Sequence, residues 1–137
     1  ELVGLAAGVA REELPGAAGA FAAAGVPLEP LLERWLAQSF VGAANLSEAL
    51  AGALLAAAVG PDYLIYFAVA ALRSAEPELR RRAHDGTLAL MWVAGAAPAA
   101  LPRFHAKPHM AFMSALRSKH RRHLLPALAA LLVVPQY

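Results

Sequence analysis

The sequence predicts an all-α fold, a helical array forming one domain over residues 1–137, and three observations carry that prediction. Of the 137 residues 59% are hydrophobic and only 16% charged, and the apolar content is mainly 35 Ala and 23 Leu. Both are strong helix formers, whereas strands draw on Val, Ile and Thr. Gly and Pro cut the chain into helix-length pieces. Within several pieces the apolar side chains recur at three- and four-residue spacing. The length suits one domain with its own core, and the apolar content excludes disorder as the main state.

Taken in order, a first apolar stretch runs from Leu2 to Ala10 and ends at the polar Arg11-Glu12-Glu13. Pro15 opens a second piece, Gly16 to Ala24, which Gly25 stops. Pro27 and Pro30 open a third, roughly Leu28 to Phe40, with Leu31, Leu32, Trp35, Leu36 and Phe40 on one face and Glu29, Glu33 and Arg34 off it. Asn45 followed by Glu48 resembles a capping box and opens Leu46 to Val59, ended by Gly60. Pro61-Asp62 is a helix start, with proline in the first turn and a carboxylate near the positive dipole end. The next piece, Tyr63 to Arg73, is apolar nearly all round and belongs at the centre of the core. A separate helix is expected from Glu76 to Gly95, wet in its first half and buried in its second. Pro98 and Pro102 make a linker. Pro108 starts a basic C-terminal helix, about 108–125, which Pro126 interrupts. Its apolar stripe is predicted to be Met110, Met113, Leu116 and Leu124, with Arg117, His120 and Arg121 together on the charged side.

Charge is uneven. Residues 1–102 carry a net −4 and residues 103–137 a net +6, with no acid in that last segment. Arg117, Lys119, Arg121 and Arg122 therefore form a candidate face for an acidic partner, an anion or a membrane surface. Aromatic residues are not interleaved with this run, so no nucleic acid is expected. The longest charge-free run, Gly86 to Pro102, is 17 residues long and contains Pro98. A spanning helix needs about 20 apolar residues, so no transmembrane segment is expected. Glu1-Leu2-Val3-Gly4 lacks an initiator Met and the basic start of a signal peptide, as expected of a piece of something longer.

Catalytic and cofactor signals are absent from the sequence. With no Cys there is no disulfide, thiolate site or cysteine nucleophile, which fits a reducing compartment. None of Ser39, Ser47, Ser74 and Ser114 sits in a Gly-x-Ser-x-Gly elbow, and no Gly-rich phosphate loop is present, so no catalytic residue and no cofactor is expected. His105 with His109, and His120 with His123, are spaced to share helix faces. Residues 103–137 hold no carboxylate, so a complete tetrahedral site would need both pairs to converge, and no metal is expected.

Residues 14–79 carry a family resemblance. Leu14-Pro15, Ala24-Gly25-Val26-Pro27-Leu28, Glu33-Arg34-Trp35-Leu36, Phe40, a polar turn, an amphipathic helix ending at Gly60, and the helix Tyr63 to Leu72 follow one another as in the C-terminal half of a TBC domain. Within that family, Gly60-Pro61-Asp62-Tyr63 with Tyr66 and Val69 look most like the C-terminal region of a ciliary member. Residues 104–125 resemble its ending only loosely. The resemblance implies the all-helical C-terminal lobe of a domain that accelerates GTP hydrolysis on Rab proteins by donating an Arg and a Gln in trans. The family's Ile-x-x-Asp-x-x-Arg and Tyr-x-Gln motifs are missing. The sole Ile, Ile65, has no Asp three residues on, and neither Gln38 nor Gln136 follows a Tyr at two. The family's Trp-Asp pair before the Gly is also replaced, by Ala53 and Leu54.

The resemblance therefore implies a non-catalytic scaffold or interaction module, cytoplasmic and at the cilium or basal body. It would act in cilium assembly with a cell-cycle-related kinase, or bind a small GTPase without activating it. The alternative is part of a Rab activator whose catalytic half lies outside this chain. The matching positions Arg34, Trp35, Phe40, Gly60, Pro61, Asp62 and Tyr63 read as architecture, Trp35 by the apolar area it buries and Gly60 by the chain reversal it permits.

Overall fold

A computed structural model describes residues 2–37, 46–88 and 103–131. These residues form an all-α array of six helices: α1 (Leu2–Glu13), α2 (Pro15–Ala23), α3 (Glu29–Ala37), α4 (Leu46–Val59), α5 (Tyr63–His84) and α6 (Met110–Leu131). A short 3-10 turn, Lys107–His109, leads into α6.

Helix α5 is the axis, and each of the other five packs on it. Its first ten residues explain why, because all but Leu64 are buried, from Tyr63 through Leu72. A helix apolar on every side satisfies itself only when surrounded. Small residues then set how closely the neighbours approach. Ala6, Ala7 and Ala10 of α1 and Ala17 of α2 are fully buried. A side chain at Gly52 of α4 would meet the Phe67 ring at 3.0 to 3.2 Å, so α4 crosses α5 with only a hydrogen between. Phe67 stacks edge-on against Phe104 at a centroid distance of 4.8 Å, which brings the approach to α6 into the same core.

A predicted break at Pro126 is absent, and two helices expected over Tyr63 to Gly95 join where they were to part. Helix α5 passes through Pro77 without interruption, and α6 likewise continues through Pro126. Each proline lies on the exposed side between buried neighbours, Ala75 and Leu79 in one helix and Leu124 and Leu128 in the other. The carbonyl freed by the missing N–H thus faces water, while the core side keeps its packing, and tertiary burial outweighs the local cost. The wet first half of the helix expected from Glu76 to Gly95 is therefore the second half of α5, which ends at His84, and residues 89–95 lie outside the described residues. Asp85 ends α5 by accepting the backbone N–H (3.1 Å) and hydroxyl (2.6 Å) of Thr87.

Other expectations stand as read. Gly25, at φ 69°, ends α2 in a Schellman arrangement, with Val26 N–H on Phe21 O at 3.0 Å and Gly25 N–H on Ala22 O at 3.1 Å. Helix α4 spans the predicted residues, though Asn45 of the proposed capping box lies outside the described residues. Leu31, Leu32 and Trp35 of the α3 stripe are buried, Leu36 is half-buried, and Phe40 lies outside the described residues.

The α6 stripe differs from expectation. Met113, Leu116, His120, Leu124 and Leu128 face the core, whereas Met110 is 43% exposed. His120, expected among the charges, instead occupies a core position. No described helix is long and apolar enough to cross a membrane.

Candidate functional site

The family-like segment Gly60-Pro61-Asp62-Tyr63 connects α4 to α5 and meets α6. Gly60 has φ 148°, a conformation L side chains rarely adopt, and its missing side chain leaves room for Asp62. A Cβ there would lie 2.6 Å from Asp62 Oδ1 and 3.4 Å from an Arg121 nitrogen. Asp62 was expected as a carboxylate near the positive dipole end of a helix start. It is instead fully buried and makes no side-chain cap bond to α5. Its Oδ2 accepts the Tyr66 hydroxyl at 2.7 Å, one helical turn on.

From α6, Arg121 reaches the same corner. Its Nη2 donates to the Val59 carbonyl at 3.0 Å, one of the last in α4, and its Nε lies 3.9 Å from Asp62 Oδ2. A single guanidinium thus caps the C-terminal end of α4, where the dipole is negative, and neutralises a buried carboxylate. Burial, followed by the adjacent Asp62 charge, drives the Tyr66 hydroxyl pKa upward, so it stays a proton donor to Asp62 at any ordinary pH. Tyr63 packs edge-on against Tyr66 at 6.1 Å. The corner is a lock joining α4, α5 and α6.

The remaining predicted residues fall in two groups. Trp35 is 3% exposed, inside the core, and its indole N–H has no acceptor among the described residues. Arg34 and Pro61 are exposed. On α6, Arg117 and Arg122 face solvent, and Ser114, Arg117, Ser118 and Arg121 line an open groove along the helix. Lys119 turns toward α1, with its Nζ 2.8 Å from Glu13 and 3.6 Å from Glu12. The four cations predicted as one face are therefore divided: Arg117 and Arg122 outward, Arg121 into the lock, Lys119 across to α1.

Sequence reasoning named Tyr66 and His120 without these contacts and gave Glu13 no role. Tyr66 stands four residues after Asp62, the spacing at which helical side chains meet, so its role had a local signal. His120 stands four residues after Leu116 and four before Leu124, which marks a core position. Glu13 had no signal, because its partner is 107 residues away.

The class these features define is an all-α domain built around one central buried helix, with a buried Asp–Tyr–Arg lock at one corner. Comparison with protein-family models, curated proteins and solved structures finds no match.

Proposed function

We propose that this chain is a non-catalytic, TBC-like interaction module, of the kind represented by the ciliary protein Broad-minded, acting in cilium assembly. The observation that carries this reading is how the charges are used. At Gly60-Pro61-Asp62-Tyr63, where the family resemblance is densest, the carboxylate, the hydroxyl and the Arg121 guanidinium turn inward and bond to one another. The Asp62 carboxylate is fully buried, so although its Oδ1 has no hydrogen-bond partner among the described residues, the corner holds helices together and presents no carboxylate to a substrate. The outward donors, Arg117 and Arg122 with Ser114 and Ser118 beside them, supply a hydrogen-bonding, positive surface for an acidic segment of a partner protein. The partner is a small GTPase held without activation or a cell-cycle-related kinase.

The test measures two quantities on the same purified proteins. Phosphate release is followed across a panel of Rab GTPases with and without the chain, and binding of the GTP-loaded GTPases and of the kinase is measured directly. Saturable binding without faster hydrolysis is the expected result. Stimulation of any member by two orders of magnitude or more would establish the rival reading, an activator, and binding to none of them would remove the interaction module.

A further inference from the structure

The end of α1 and the middle of α6 bring together groups that are far apart in the sequence. Glu12 and Glu13 close α1, and Lys119, His120 and His123 belong to α6. One ligand-type atom from each of Glu12, Glu13 and His120 lies within 4.8 Å of the other two. His120 is 1% exposed, yet both its ring nitrogens face polar groups. Its Nε2 is 2.8 Å from Glu13 Oε1, and its Nδ1 is 3.4 Å from His123 Nε2.

Chemistry decides which nitrogen carries the hydrogen. A neutral imidazole has one N–H and one lone pair, and an ionised carboxylate only accepts. Glu13 Oε1 lies 2.8 Å from the Lys119 ammonium as well as 2.8 Å from His120 Nε2, so it stands between two donors. Nε2 therefore donates to Glu13, and the Nδ1 lone pair is left pointing at His123. A separation of 3.4 Å is long for a hydrogen bond between the two rings. It matches the edge of a tetrahedron around zinc, because two nitrogens about 2.0–2.1 Å from the metal stand about 3.3–3.4 Å apart. A carboxylate gripping the far N–H of a ligating histidine is also the outer contact that fixes the ring's tautomer and orientation at metal centres.

We propose that His120 Nδ1 and His123 Nε2 chelate a borderline transition-metal dication, Zn2+ above all, with Glu13 as the positioning residue for His120. Water completes the shell around the two histidine nitrogens. Residues 103–137 contain no acid, which is why the histidine pair read as incomplete in the sequence. The fold supplies the positioning carboxylate, Glu13, from α1. Imidazole nitrogens favour Zn2+, Ni2+ or Cu2+ over Mg2+ and Ca2+, which take oxygen ligands.

The experiment is calorimetric titration of the whole chain with Zn2+ near neutral pH, repeated with Mg2+ and with the variant His123→Ala. His123 is exposed, so the variant should match the unaltered chain in circular dichroism and melting temperature without metal. The expected result is one saturable Zn2+ site per chain, no response to Mg2+, and at least about tenfold weaker Zn2+ affinity in His123→Ala. A smaller loss of affinity, equal binding of Mg2+, or no saturable Zn2+ binding below about 1 mM overturns the proposal.

Discussion

Replacing Gly60 with alanine tests the lock at its tightest point. Two costs add. A non-glycine residue held at φ 148° is strained by about 1–3 kcal/mol. The new Cβ would also sit 2.6 Å from Asp62 Oδ1, an atom on a short side chain that is pinned through its other oxygen. Moving the carboxylate aside weakens the 2.7 Å bond from Tyr66, and a buried hydrogen bond to a charged group contributes about 1.5–3 kcal/mol. Together these give a loss of about 2.5–6 kcal/mol, a large part of a typical total of about 5–15. Gly25→Ala is the control. Gly25 also has positive φ, at 69°, but a Cβ there meets nothing within 4 Å, so it carries the backbone cost alone. Denaturant unfolding of both variants, followed by circular dichroism, separates the two terms. If Gly60→Ala lost no more than Gly25→Ala, the close approach of Gly60 to the Asp62 carboxylate would contribute nothing and the lock would be wrongly drawn. Combining Gly60→Ala with Tyr66→Phe adds a check, because the two changes act on one carboxylate and should not be additive.

Other predictions follow from the same contacts. Trp35→Ala should cost roughly 3–5 kcal/mol in chemical denaturation, whereas Trp35→Phe, which keeps most of the ring and removes the unpaired buried N–H, should cost under about 1.5. Arg121→Ala should lose about 1–3 kcal/mol, because the Val59 carbonyl and Asp62 both lose their guanidinium, and a loss below about 0.5 would return Arg121 to the solvated face. The Glu13 carboxyl is held below its ordinary value of 4.5, first by the hydrogen bond from Lys119 and then by that from His120. A lowered folded pKa means the stabilisation is complete above the unfolded value and disappears as pH falls through the folded one. Urea midpoints measured from about pH 6 down to about pH 3 should therefore fall less steeply in Glu13→Gln than in the unaltered chain, and identical slopes would contradict the contact.

How much of this was legible depended on distance along the chain. Local signals served well: Gly25 and Gly60 ended helices where expected, α4 began and ended at the predicted residues, and the apolar run after Asp62 marked the central helix. Proline misled at Pro126, and the helix through Pro77 runs on where two helices were expected. The rule that it breaks helices is a statement about local cost, and burial on the opposite face outweighed that cost. Asp62 was recognised as a family-matching position and read as a carboxylate favouring the positive end of the α5 dipole. A carboxylate after a proline looks like a helix cap until the third helix that supplies Arg121 is in place. Lys119 and His120 were grouped with the basic run for the same reason, since their partners Glu12 and Glu13 lie more than a hundred residues away. Periodicity shows which face of a helix is buried, and tertiary structure decides which charge meets which.

The central claim is that the inward charges hold the fold while the outward ones meet a partner, and one double variant separates them. Arg117→Glu with Arg122→Glu reverses two exposed charges and leaves Arg121 in the lock. Solvent screens charges at such positions, so the melting temperature should change little. Affinity for a GTP-loaded small GTPase or the kinase, measured at low salt, should fall at least about tenfold, and the affinity of the unaltered chain should weaken as salt rises through the range where the Debye length drops to about 8 Å. Undiminished affinity in the double variant, with its fold intact, would contradict the account.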